Sequence, residues 1–139
     1  MKHIDELTRE VLGVAVRLHR DLGPVLLESV YEMVLAGRLT SLGHLVERQK
    51  LIDIDFEGLQ FVGAFKIDLL VDKRLILEIK SVEKVHAAHA KQLLTYLRLT
   101  KLSVGLVINF GGATLMYGVR RMVNNHTDSA PSASLREHG

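Results

Sequence analysis

The chain has 139 residues, which suits a single domain large enough to bury a stable core without disulfide bridges. It contains no cysteine, which excludes disulfides and thiolate metal sites and is typical of a reducing compartment. The net charge of +2 permits a polyanionic ligand without requiring one, and the charged N-terminus and short apolar runs predict a cytoplasmic protein without a signal peptide or a membrane span.

The N-terminal part of the chain carries two helical stripes. In residues 4–22 apolar side chains recur in steps of three and four, which predicts an amphipathic helix. Gly23 and Pro24 interrupt the pattern, since glycine tolerates the turn that ends a helix and proline can open the next one. A second stripe covers residues 27–42. The sequence therefore predicts two antiparallel helices joined by a tight turn.

The middle of the chain has the spacing of strands. Three strands are predicted, over residues 45–56, 59–71 and 75–80. Glu57-Gly58 is a hairpin signal between the first two, and Asp72-Lys73-Arg74 turns the chain between the second and the third. This region therefore predicts an antiparallel β-meander.

The rest of the chain predicts a helix and two strands, over residues 83–99, 103–109 and 113–119. A helix between the third and fourth strands implies a crossover and hence a parallel pair. The predicted order is ααβββαββ, an α/β fold in which helices flank a mixed β-sheet. Residues 123–139 are polar and small, so we expect a disordered tail after a single domain at 1–122.

An apolar strand with two charges in it is the most informative segment. Residues 75–82 read LILEIKSV, and alternation puts Glu78 and Lys80 on the same face. Opposite charges in such apolar surroundings cost free energy unless they are paired or used. Asp68 on the preceding strand is a third charge in apolar company.

The length of the turn after residue 71 decides whether the two acids meet. A two-residue loop would place Asp68 opposite Leu77, and the two carboxylates would face opposite sides of the sheet. A three-residue loop at 72–74, or a bulge, would place Asp68 opposite Glu78. A functional site therefore requires the odd loop or a bulge.

Two adjacent carboxylates repel each other, and a hard divalent cation relieves that repulsion. Mg²⁺ or Mn²⁺ would bind Asp68 and Glu78, with the carbonyl of Ile79 as a further oxygen ligand. Such an ion activates water for attack on a phosphodiester, and Lys80 would hold that water or stabilise the charge growing on the phosphate. The structural alternative is a cross-strand ion pair between Glu78 and Lys80, because short acid–acid–lysine patterns also arise by chance.

Five segments resemble the GxxExxY protein family, which is grouped with the PD-(D/E)xK nuclease superfamily. They are GPVLLESVYE at 23–32, Asp68, LEIKSVEK at 77–84, HAKQLLTYL at 89–97 and GLVINFGG at 105–112. The segments occur in order between residues 12 and 122. The resemblance implies a restriction-endonuclease-like core with Asp68, Glu78 and Lys80 in the metal and catalytic positions.

The same resemblance assigns supporting roles to residues on two helices. It implies that Glu28 is the acid on the preceding helix and that Gln92 is the glutamine on the crossover helix. The chain departs from the family at Val25, where the naming motif has glycine, which puts in question the angle at which Glu28 enters the site. We interpret this position as one that concerns the start of the helix. Glu32 is a competing acid that we expect to be solvated.

Three further residues of the crossover helix are candidate substrate contacts: His89, Lys91 and Tyr96. The alternatives are a solvated helix face for Lys91 and a core-edge position for Tyr96. His86 and His89 lie at i and i+3, which also suggests zinc, but no third ligand is close in the sequence.

These patterns together predict a metal-dependent nuclease that hydrolyses nucleic-acid phosphodiester bonds with Mg²⁺ or Mn²⁺. The expected partner is nucleic acid, with DNA favoured over RNA, and no membrane. A homodimer would help so small an enzyme to cut both strands of a duplex. The rival hypothesis is a non-catalytic nuclease-fold module that binds nucleic acid or a protein partner. The retention of all three central residues favours the enzyme.

Overall fold

The computed structural model describes residues 2–125 and 132–134, which form an α/β fold of three helices and a six-stranded mixed sheet. The helices are α1 (Ile4–Leu22), α2 (Glu28–Ser41) and α3 (Ala87–Thr100), and a short 3₁₀ helix covers Met116–Gly118. The strands are β1 (Val46–Phe56), β2 (Leu59–Val71), β3 (Leu75–Lys80), β4 (Val104–Asn109), β5 (Val119–Val123) and β6 (Ser132–Ser134). The order across the sheet is β5-β4-β3-β2-β1-β6. The predicted order ααβββαββ is confirmed through β5, and β3 and β4 are parallel, as the crossover requires.

Helix α1 has the predicted bounds, whereas the start of α2 differs from the prediction. The ring of His3 accepts a hydrogen bond from the backbone two residues on, and Gly23 ends the helix at a φ of 77°. Pro24 does not open α2, which begins at Glu28. The reason is Val25, whose φ of 75° is incompatible with a helix. No helix among the described residues is both long and apolar enough to span a membrane.

The two sides of the sheet are covered by different helices. One apolar cluster contains Leu77 and Ile79 together with residues of α1 and α2. The other contains Ile76 together with residues of α3. Because side chains alternate along β3, Glu78 and Lys80 lie on the same side as Ile76, beneath α3.

Three residues form the turn between β2 and β3, namely 72–74. Val71 pairs with Leu75, and the antiparallel pairing runs from there to Leu69 and Leu77. Extended by one step, this register sets Asp68 opposite Glu78. The three-residue loop that the predicted site requires is therefore confirmed.

His44, in the loop after α2, fixes this turn from outside. It hydrogen-bonds Asp72 through Nδ1 at 2.7 Å and Glu10 through Nε2 at 2.6 Å, and Asp72 also accepts the N–H of Leu45. Burial disfavours a charge on His44, but its two carboxylate partners outweigh that effect and raise its pKa. Asp72 and Lys73 both have positive φ, at 53° and 56°, as tight hairpin turns require.

The last strand exists, but its predicted bounds of 113–119 are wrong. Residues 113–118 form a turn and the 3₁₀ helix, and β5 begins only at Val119. The stretch lacks strand alternation, since two consecutive exposed residues, Met116 and Tyr117, lie between the buried Leu115 and Gly118. Gly118 lies so close to Asn109 that an added Cβ would be 2.8 Å from its carbonyl oxygen.

The predicted disordered tail, residues 123–139, contains parts of two strands. Val123 ends β5, and Ser132–Ser134 pair antiparallel with β1 at Asp53–Asp55. The sheet therefore extends past residue 122. The other residues of this prediction beyond 125 lie outside the described part of the chain.

Candidate active site

Asp68 lies where the side-chain alternation of β2 is interrupted. Ile67 and Leu70 both pack beneath α3, whereas Leu69 packs on the opposite side. Residues three apart on a regular strand face opposite sides. Gln49, which faces Asp68 from β1, has a φ of 52°, and the β1–β2 pairing skips this position. The regular ladder is thus interrupted on both strands at the position of the acid.

The Asp68 carboxylate accepts a hydrogen bond from a backbone N–H of β3. Its Oδ2 accepts the N–H of Ile79 at 2.8 Å, and its Oδ1 is 3.5 Å from the side-chain amide of Gln49. The N–H and C=O of a strand residue face the same neighbour, so the Ile79 carbonyl also faces β2. The arrangement brings a carboxylate and a main-chain oxygen to the same gap between the strands.

Glu78 is a buried acid next to this gap. It is only 6% exposed, and its Oε1 has no hydrogen-bond partner among the described residues. Burial, together with repulsion from Asp68, raises the pKa of Glu78 to about 9, and Lys80 offsets this only in part. Glu78 therefore keeps its proton at neutral pH unless a cation compensates the charge of its carboxylate.

This set of donors fits a hard divalent ion. The unpartnered Oε1 of Glu78, the Asp68 carboxylate and the Ile79 carbonyl are all oxygen ligands, which Mg²⁺ prefers. No group of three or more His, Asp or Glu side chains suited to a metal occurs within the described residues. The oxygen donors at this gap are two carboxylates and one main-chain carbonyl.

Asn109 fixes the chain just beyond Lys80. Its side chain accepts the N–H of Val82 and donates to the carbonyl of the same residue, each at 2.9 Å. The N–H of Phe110 donates to the Lys80 carbonyl at 2.8 Å. Gly111 leaves the space for this contact, because an added Cβ would be 2.1 Å from the Val82 oxygen. Lys80, which is half-buried, thus projects from a rigid strand end on the same face as Glu78.

The family comparison decides how this arrangement is classified. The model of the PD-(D/E)XK nuclease superfamily matches residues 5–122. The chain belongs to this superfamily. No curated protein and no solved structure matches the chain. Members of the superfamily are usually phosphodiesterase nucleases that use divalent metals, and the expected restriction-endonuclease-like core is confirmed.

Helix α3 brings further side chains close to Asp68 and Glu78. His89, Gln92 and Tyr96 are spaced at i, i+3 and i+7 and share one helix face. Burial raises the pKa of Tyr96, and the nearby charges of Glu78 and Asp68 raise it further. Tyr96 also stacks on a phenylalanine of β2, with ring centroids 4.2 Å apart. The phenol therefore lies close to both acids.

His89 lies at the lysine end of the same face. Burial lowers the pKa of His89, and the positive charge of Lys80 lowers it further. Gln92, which is exposed, is placed by its spacing between His89 and Tyr96. Lys91 is exposed two residues from His89, and therefore on another part of the helix surface. Among the predicted substrate contacts, the structure thus groups His89 and Tyr96 with the site and leaves Lys91 apart.

The two histidines considered for zinc, His86 and His89, contact each other at the start of α3. The N–H of His86 points at Nδ1 of His89 at 3.4 Å, and the rings meet edge to face with centroids 5.7 Å apart. His86 is the residue that precedes the helix, whose predicted start at 83 is four residues too early. This geometry is that of a helix cap.

Glu32, and not Glu28, is the buried acid of α2. The expectation that Glu32 is solvated is wrong: its carboxylate accepts from Arg48 at 3.0 Å and from Gln49 at 2.6 Å. Because the Gln49 amide also faces Asp68, Glu32 is linked to the site through that side chain. Glu28 is exposed in the first turn of α2, where its charge acts on His89.

Val25 stands at a position whose backbone favours the family glycine, and it does not belong to α2. It lies in the loop before α2 at a φ of 75°, a conformation that glycine adopts freely and a β-branched residue rarely does. The interpretation of this position as a helix start is therefore wrong.

Sequence reasoning also missed Gln49 and Asn109. The signal for Asn109 was a polar residue ending a strand that is otherwise wholly apolar and buried, directly before Phe110-Gly111-Gly112. Gln49 gave no comparable signal, because its role depends on a positive φ in the middle of β1.

Proposed function

We propose that this protein hydrolyses nucleic-acid phosphodiester bonds with Mg²⁺ or Mn²⁺, with Asp68, Glu78 and the Ile79 carbonyl as metal ligands. The observation that carries the proposal is the buried Glu78 carboxyl, whose Oε1 has no partner and whose pKa rises to about 9 beside Asp68. A structural ion pair with Lys80 would leave neither feature in place, because a partnered carboxylate keeps a low pKa. A cation-binding role accounts for both.

The proposed chemistry assigns a task to each side chain. A bound divalent ion supplies the charge that polarises a phosphoryl oxygen and makes a water more acidic. Lys80, on the same face as Glu78, orients the attacking water or stabilises the negative charge that grows on the phosphate. Tyr96 and His89 bind the neighbouring phosphates from α3, and Gln92 hydrogen-bonds the water between them. Glu28 assists at the edge of the site.

Several finer assignments belong to the same proposal. We infer a GxxExxY-type protein, because Tyr31, the tyrosine of that motif, is fully buried and stacks on Phe110 next to the end of β3. We further propose that residues 1–122 form a single nuclease domain and that the protein is cytoplasmic. We also propose that it acts on DNA in preference to RNA and forms a homodimer.

The test compares wild type with Lys80→Ala on labelled single-stranded and duplex DNA and RNA, in Mg²⁺, Mn²⁺ or EDTA. The matched control is Lys66→Ala, which removes an exposed lysine of β2. We expect metal-dependent cleavage by wild type and by the control, and none by Lys80→Ala. Equal cleavage by all three proteins would contradict the proposal, and so would metal binding by wild type without cleavage of any substrate. The second outcome would favour the non-catalytic module.

A further inference from the structure

Three consecutive apolar side chains are exposed in the loop between α1 and α2. Val25 is 74% exposed, Leu26 41% and Leu27 75%. Exposed apolar side chains are common singly, but a contiguous group at the edge of a site indicates a contact surface. We call residues 24–27 the apolar ridge. The ridge carries no charged side chain, so it is unsuited to holding phosphate.

The ridge is held rigidly, although its side chains are exposed. The hydroxyl of Tyr31 donates to the Gly23 carbonyl and accepts the N–H of Leu26. Tyr31 is itself fully buried and stacks on Phe110, with ring centroids 4.4 Å apart. The fold therefore presents these side chains to solvent in a fixed position.

Val25 adds backbone strain to this arrangement. Its φ of 75° is unfavourable for a β-branched residue, and strained conformations of this kind cluster at functional sites. Glycine would remove both the strain and the side chain. The chain thus keeps an exposed isopropyl group at a position where its backbone favours glycine.

The ridge borders the candidate active site. The hydroxyl of Ser81, the residue after Lys80, donates to the Leu26 carbonyl. Glu28, the residue after the ridge, lies close enough to His89 for its charge to act on that ring. A nucleic-acid strand with a phosphate at Lys80 would therefore bring its neighbouring nucleotides to the ridge.

We propose that the apolar ridge packs against nucleobases of the substrate, next to the phosphate that is cleaved. This inference rests on the proposed function and names its substrate class. Base faces are apolar, and proteins that insert leucine, proline or similar side chains between bases separate the stacked pairs. Base faces are accessible where stacking is broken, so the preferred substrate is single-stranded or locally unpaired nucleic acid.

The test uses the double variant Val25→Gly/Leu27→Ser, which removes the two most exposed side chains of the ridge. The matched control is Leu42→Ser/Leu45→Ser, which removes two exposed leucines beyond the other end of α2. Three substrates are compared in Mn²⁺: a labelled single-stranded oligonucleotide, the same strand with abasic sites beside the cleaved bond, and bis(p-nitrophenyl) phosphate, a diester without bases.

We expect the ridge variant to raise KM for the intact strand at least about fivefold. It should cleave the abasic strand as wild type does and retain cleavage of the base-free diester. The control should match wild type throughout. Equal KM values for the intact strand would overturn the inference, as would an equal loss on the base-free diester, which would make the ridge a support of the catalytic centre. A change of oligomeric state in light scattering would overturn it in favour of a contact between copies.

Failure of the proposed function is distinguishable from failure of this inference. If wild type cleaves neither the oligonucleotide nor the base-free diester, binding of the strand is measured by fluorescence polarisation. Weaker binding by the ridge variant, by about the same factor, would still support base contacts. Equal binding by both proteins, or no binding by either, would overturn the ridge while leaving the metal site to be tested by itself.

Discussion

Glu78 is expected to make the metal-free protein less stable as the pH rises. Its pKa is about 9 in the folded state against an ordinary value of 4.5, so the native state keeps a proton that the unfolded state loses. The unfolded state then binds fewer protons, and the free energy of unfolding falls by about 1.4 kcal/mol for each pH unit between these values. At pH 7 the accumulated cost is about 3 kcal/mol. Glu78→Gln carries no such cost, because its neutral amide needs no proton.

The measurement is urea unfolding in EDTA at several pH values from 5 to 8. The slope of stability against pH should be flatter in Glu78→Gln than in wild type. Glu57→Gln, which changes an exposed glutamate in the β1–β2 turn, is the control and should keep the wild-type slope. Identical slopes in wild type and Glu78→Gln would refute the reasoning, because they would mean that Glu78 ionises normally in the fold.

Three further changes test the structure around the site. Gly111→Ala would force a Cβ against the backbone of Val82, and we expect chemical denaturation to show a loss of about 1–3 kcal/mol; unchanged stability would contradict the tight contact. The pKa of His44 is raised in the fold, so its contribution is complete below pH 6.5 and is lost as the pH rises through the folded pKa. Thermal melts of His44→Ala should therefore differ most from wild type below pH 6.5, and a difference independent of pH would argue against a charged ring. Tyr31→Phe removes the hydrogen bonds that hold the ridge and should lower the free energy of unfolding by about 1–3 kcal/mol, which urea titration would detect.

The bounds of helices and strands were predictable from the sequence where local patterns of apolar residues and turn residues determine them. The bounds of α1, β2 and β3 agree with the prediction, because turn signals mark their ends: Gly23 follows α1, Glu57-Gly58 precedes β2, and the turn at 72–74 separates β2 from β3. The stretch at 113–119 has apolar residues without strand geometry, since close approach of Gly118 to β4 is a tertiary contact that no local pattern reveals.

The candidate site was predictable only as a set of alternatives. Side-chain alternation placed Glu78 and Lys80 on one face, but the position of Asp68 depended on a loop length that the sequence left open. In the structure His44, which is 28 residues away in the sequence, hydrogen-bonds Asp72 of that loop. The buried Glu32 likewise has its partners on another element. Arg48 and Gln49, both in β1, donate hydrogen bonds to its carboxylate. Both contacts join elements that are distant in sequence, so a reading of local patterns could not find them.

The position of the acids also explains why the site lies at the end of the β2–β3 pairing. Regular pairing stops at Leu69 and Leu77, and beyond it the Ile79 N–H bonds to the Asp68 carboxylate instead of to a backbone carbonyl. If the pairing continued by two more residues, the N–H and C=O of Ile79 would both hydrogen-bond to the backbone of β2. The Asp68 carboxylate would then have to leave the gap between the strands. The interruption of alternation at Asp68 prevents that continuation. A carboxylate and a main-chain oxygen can then face the same gap between the strands, which a regular ladder would not allow.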